Sequence, residues 1–108
     1  MAYSDAAALA AALRIRVSTE NQPLLDACLD AAASEIDHDL DRTDPLPDPA
    51  PAAIARTNVN RAVEWYKAAD AAYGIVGFEQ VGLLHAPDDG FARHASTITP
   101  WKQGWGMA

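Results

Sequence analysis

The chain has 108 residues, enough for one small domain and short for two. Half of the residues are hydrophobic, but 24 of them are alanine, while Leu, Ile, Val and Phe together number 21, and the formal net charge is −7. That balance lies close to the composition of disordered chains, so an isolated monomer has a thin core, and partner surfaces are one way to make up the deficit.

Whole classes of function fall away on the same grounds. Every apolar run falls short of the ~20 residues a membrane span needs. The segment from Met1 to Ala12 carries Asp5 and lacks the basic flank of a signal peptide. A single cysteine, Cys28, excludes an intrachain disulfide framework. A pI near 4.6 argues against gripping phosphates, though not against standing beside DNA without holding it.

Charge, glycine and proline are unevenly spread. Residues 1–50 hold 10 acids and 3 bases, and residues 51–108 hold 5 of each. All six glycines follow residue 73, and four of the seven prolines fall at Pro45, Pro47, Pro49 and Pro51. This predicts an all-α chain: a small bundle of three to four helices, a Pro-rich linker over 43–51, and an extended tail containing Gly and Trp. The expected division is a helical domain over 1–98 and a docking tail over 99–108.

Ser4 is the expected cap of a first helix from Asp5 to Leu13. Thr19 and Gln22 have capping-box spacing for a second, with Pro23 tolerable in its first turn. Leu25, Leu29, Ala32, Ile36 and Leu40 then make a helical stripe. Asp26, Asp30, Asp37 and Asp41 share a second side and form an acidic face. The sequence DPLPDPAP over 44–51 predicts an extended, non-helical surface segment. A third helix is expected from Pro51 to Tyr73, with Ala55, Val59, Ala62, Tyr66, Ala69 and Tyr73 as its stripe and Gly74 as its stop. Residues 75–84 read as a short strand or bent loop. A fourth helix is expected from Gly90 to Ile98, capped by Asp88 or Asp89 and ended by Pro100.

Candidate chemistry is sparse. Asp37, Asp39 and Asp41 alternate like the start of a calcium loop, but Arg42 stands where the glycine belongs and Asp48 where the glutamate belongs. A solvated helix end explains them better. His38, His85 and His94 lack metal-ligand pairing. Ser96 and Thr97 lack a nucleophile elbow, and Gly74, Gly77 and Gly82 do not form a phosphate-binding loop. Cys28 reads as a small core residue. The chain reads as a non-enzyme with neither cofactor nor metal. Adjacent Trp65 and Tyr66 are expected either to split between the core and a second surface or both to be buried. Trp101 and Trp105 flank Lys102 beyond Pro100, where no core-forming periodicity exists. They are expected to dock on another chain.

The order LLDACLDAAASEIDHDLDR (24–42), a linker, AAIARTNVNRAVEWYKAADAAYGIVGF (52–78) and DDGFARHASTITPWKQGWGMA (88–108) resembles the head-to-tail connector proteins of siphophage-type tailed bacteriophages, also called adaptor or head-completion proteins. The most specific parts are 52–78 and 88–108. The chain departs from the family in running from Arg42 directly into Thr43-Asp44-Pro45. The resemblance implies a helical virion protein, made in the host bacterial cytoplasm, that forms a ring of about twelve copies beneath the portal. It implies contacts with the portal, with neighbouring copies and with a stopper or tail-completion protein. Trp101, Lys102 and Trp105 are then the expected partner-binding residues. Asp26, Asp30, Asp37 and Asp41 are expected either along a channel through which DNA passes unbound or on a solvated outer face. The competing expectation is a free acidic interaction module, such as a DNA mimic that binds a host protein.

Overall fold

In the computed structural model the described residues are 2–42, 46–81, 84, 86–87 and 90–102, with 72–81 described by backbone alone. Their regular structure is all helical, with no strand among them: α1 (Ala6–Leu13), α2 (Gln22–Leu40), α3 (Ala52–Val81), α4 (Ala92–Ile98) and a 3-10 turn (Thr99–Trp101).

α1 consists entirely of alanine and leucine, the residues that lose least on entering a helix. Its cap is Asp5, one residue beyond the expected Ser4: Asp5 has extended backbone, and its Oδ1 accepts the Ala8 N–H at 2.9 Å. The helix closes on Arg14 in the left-handed region (φ 60°), where the N–H groups of Arg14 and Ile15 satisfy the Ala11 and Ala10 carbonyls.

α2 starts from a reciprocal pair one step before the expected capping box. The Ser18 N–H donates to Asn21 Oδ1 at 2.7 Å, and the Asn21 N–H donates to Ser18 Oγ at 3.2 Å. Asn21 Nδ2 also donates to the Arg16 carbonyl, which closes the turn between α1 and α2. Pro23 lies in the first turn. The whole stripe from Leu25 to Leu40 is buried, together with Leu24, Cys28 and Ala33.

α3 differs most from expectation. It runs straight through Gly74 to Val81, so the expected stop and the expected strand or loop over 75–81 are both replaced by helix. A glycine inside a helix costs only about 1 kcal/mol relative to alanine, too little to end a helix by itself. The buried seam is also rotated. Ala62 and Ala69 are buried as expected, but Ala55, Val59 and Tyr66 are only half-buried, and the fully enclosed positions include Ile54, Thr57, Asn58 and Arg61.

α4 begins at Ala92 rather than Gly90, and the expected caps Asp88 and Asp89 lie outside the described residues. α4 ends at Ile98, ahead of Pro100, as expected, and a 3-10 turn that contains Pro100 follows directly. Thr99 Oγ1 donates back to the Ala95 carbonyl at 2.8 Å.

Two apolar clusters result. The first joins α1, α2 and α3 through Leu9, Leu24, Leu25, Cys28, Leu29, Ala32, Ala62 and Ala69. The second gathers Ile36, Leu40, Ile54 and Ile98 at the other end of α2. Leu46 and Ala50 pack on this second cluster, so the proline-rich segment is non-helical as expected but only partly at the surface: Pro47, Asp48 and Pro49 are exposed. Residues 43–45 of the expected linker lie outside the described residues.

Candidate functional site: a polar clamp and an acidic face

A partly buried polar network lies between α2, α3 and α4. Arg61, 2 % exposed, reaches from α3 to α2 and pairs with Glu35 through two parallel bonds, Nε to Oε1 and Nη2 to Oε2, both 2.8 Å. Its Nη1 donates to Glu64 Oε1 one helical turn away at 2.7 Å. Trp65 Nε1 donates to Glu35 Oε1 at 2.6 Å. From α4, His94 Nε2 lies 3.0 Å from Glu64 Oε1, and Arg93 forms an ion pair with Glu64 Oε2. Two acids and two arginines therefore balance around a histidine, and the group ties three helices together.

Asn58 extends the polar seam. Its Nδ2 donates to the Leu29 carbonyl at 3.0 Å, and its Oδ1 accepts the Tyr3 N–H at 2.8 Å. The Tyr3 hydroxyl in turn donates to Asp37 Oδ1. The N-terminal strand of chain before α1 is thus pinned across both α3 and α2. Among the described residues, every buried side-chain nitrogen and oxygen has a partner.

The electrostatics follow from these contacts. Burial acts to raise the Glu35 carboxyl, but hydrogen bonds from Arg61 and Trp65 and the charge of Arg61 outweigh it and hold the group below its ordinary 4.5. Burial, then the charges of Arg93 and Arg61, lowers the His94 imidazole from its ordinary 6.5. The charge of Glu35 opposes this but is outweighed. Burial pushes the Cys28 thiol up to about 12. Burial, reinforced by Asp37, raises the Tyr3 hydroxyl to about 12. An acid held ionised by two donors is a weak base, and a buried thiol is a weak nucleophile.

The four candidate acids of α2 are all exposed. Asp26, Asp30 and Asp37 lie on one side of the helix, and Asp41 follows at its C-cap with φ 49°. Asp26 and Asp30 have no role in the clamp, whereas Asp37 is engaged by Tyr3. Of the two expectations for Trp65 and Tyr66 the split fails: both are half-buried and pack on the first cluster.

Trp101, expected in a free tail, is half-buried on the domain's own second cluster, and its carbonyl accepts from Arg42 Nη1 at 2.9 Å. The 3-10 turn sets Trp101 against a cluster whose other members come mostly from α2 and α3, distant in sequence. Lys102 is exposed and shares a shallow hollow of about 450 Å³ with His38, Asp39 and Asp41. Trp105 and His85 lie outside the described residues.

Composition and apolar periodicity passed over the clamp. One signal was available: Ile54, Asn58, Arg61 and Trp65 step by four, three and four, a helical face whose middle members are polar. Among the described residues no group of three or more His, Cys, Asp or Glu has a metal-holding arrangement, and no helix is long and apolar enough to cross a membrane. No family model, curated protein or solved structure matches the chain.

Proposed function

We propose that this chain is a structural subunit of a tailed-bacteriophage head-to-tail connector: a ring-forming virion protein, without catalytic activity, that sits beneath the portal and continues the DNA channel. The observation that carries the reading is the exposed acidic side of α2, Asp26, Asp30, Asp37 and Asp41, set opposite a buried face. It stands in a chain whose segments 52–78 and 88–108 resemble that family. A wall of carboxylates repels phosphate at short range, so duplex DNA slides past it without being held. The exhausted hydrogen-bonding of the clamp agrees with an architectural role, since its ionisable groups are spent on each other.

Portal and neighbouring copies are the proposed partners, with a stopper or tail-completion protein on the far side. Lys102, exposed at the end of the described chain, remains a proposed contact; an exposed ion pair there contributes only about 0–1 kcal/mol. The test is electron microscopy of the protein mixed with its portal. A ring seated on the portal, with the α2 carboxylates facing the lumen, is expected. Absence of a ring overturns the reading, and a ring with all four carboxylates on its outer surface overturns the channel assignment alone.

A further inference from the structure

We propose that residues 90–102, α4 with the 3-10 turn that follows it, form an arm that opens as a unit from a folded α1–α3 core, with Glu64 as its latch. Three observations carry this. First, the larger apolar cluster is built from α1, α2 and α3, and no residue of 90–102 belongs to it. Removing the arm therefore leaves that cluster whole. Second, the arm is held by little apolar surface. Within α4 only Ile98 is buried, while Ala92, Arg93, Ser96 and Thr97 are exposed. Phe91 and Trp101 add partly buried contacts on the second cluster.

Third, polar ties among the described residues reach the arm from α3 and from the end of α2. Arg93 and His94 both bind Glu64 on α3, and Arg42 at the end of α2 binds the Trp101 carbonyl. Glu64 has its other link to Arg61 on its own helix, and Arg61 keeps both bonds to Glu35 when the arm leaves. The clamp thus divides naturally into a permanent α2–α3 half and a separable α4 half. Segments with few apolar contacts and polar ties open at lower free energy than the whole domain. Opening bares Ile36, Leu40 and Ile54, the acceptor surface of the arm.

Native-state hydrogen exchange on the full chain tests this. The helix amides of Ser96, Thr97 and Ile98 are expected to exchange through one shared opening, about tenfold or more faster than those of Leu29, Ala32 and Ala62. Glu64→Gln, which keeps the shape and removes the charge, should speed the α4 amides by about tenfold; the latch is lost in the unfolded chain as well, so core amides that exchange by global unfolding should speed to a similar degree and the gap between the two sets should persist. Arg93→Ala, a half-exposed arm residue, is the second variant and should act in the same direction if Glu64→Gln impairs folding. One common rate for α4 and core amides overturns the proposal, as do variants that leave the α4 rates unchanged.

Discussion

Arg61 and Glu35 meet across the α2–α3 interface as a two-pronged pair, with both N–O distances 2.8 Å and the arginine side chain 3 % exposed. Such a pair adds orientation more than net stability, because desolvation offsets much of the attraction. Its geometry needs a planar fork, which lysine lacks.

Breaking this pair from one side should therefore be costly. Arg61→Met leaves two partly buried carboxylates facing apolar surface and should destabilise the domain by about 2–4 kcal/mol in urea unfolding. Arg61→Lys should recover only part of that loss. Adding Glu35→Leu to Arg61→Met should recover most of it. A loss below about 1 kcal/mol for Arg61→Met would show that the clamp is not a stabilising centre.

The α2–α3 contact is lined with small residues. Ala32, Ala33, Ala62 and Ala69 have essentially no exposure, so the two helices approach closely. Ala62→Leu should cost about 1–3 kcal/mol by overpacking, and Leu29→Ala about 2–5 kcal/mol by leaving a cavity. A neutral Ala62→Leu in thermal or denaturant unfolding would mean that the helices separate without penalty.

Acid should destabilise the fold in two stages. His94 and Glu35 are both lowered in the folded state, so the unfolded chain binds their protons more tightly. The His94 contribution is present above its ordinary 6.5 and is lost as pH falls through the lower folded value. The Glu35 contribution is present above 4.5 and is lost further down. His94→Gln should flatten the stability profile just below pH 6.5 while the lower stage remains; an unchanged profile would contradict this.

Alkali should act through Cys28 and Tyr3. Both are raised, from 9.0 and 10.0 respectively to about 12, so their contributions are present below the ordinary values and fade as pH climbs toward the folded ones. Cys28→Ala should remove the part that starts near 9. At pH 8 the native thiol should react with a disulfide reagent only as fast as the domain opens. Reaction at the rate of a free thiol would show that Cys28 is not enclosed.

Trp101 should behave as a residue of the fold. Trp101→Ala should lower stability by about 1–3 kcal/mol, because it strips cover from Leu40 and Ile54. If circular dichroism and unfolding are unchanged, the indole makes no difference to the second cluster.

Helix existence and type were legible in the residues themselves. Leu25, Leu29, Ala32, Ile36 and Leu40 carry a spacing that only a helix can bury on one side, and all five are buried. Pro47, Pro49 and Pro51 deny the chain the N–H groups a helix needs, and residues 46–51 are non-helical. The acidic side of α2 follows from the same period.

Tertiary structure alone decided the rest. Apolar periodicity counts oily residues, so it placed the α3 seam on Ala55 and Val59 and passed over Asn58 and Arg61, whose burial depends on Glu35 and the Leu29 carbonyl about thirty positions away. A local rule read Gly74 as a stop, yet a glycine halts a helix only where the chain beyond it turns back to cap it. Trp101 looked unpartnered because Ile36, Leu40 and Ile54, which receive it, lie far from it in sequence and meet it only once α4 has docked. Local propensity is a property of neighbouring residues, whereas desolvating a charge requires its partner to arrive from elsewhere in the fold.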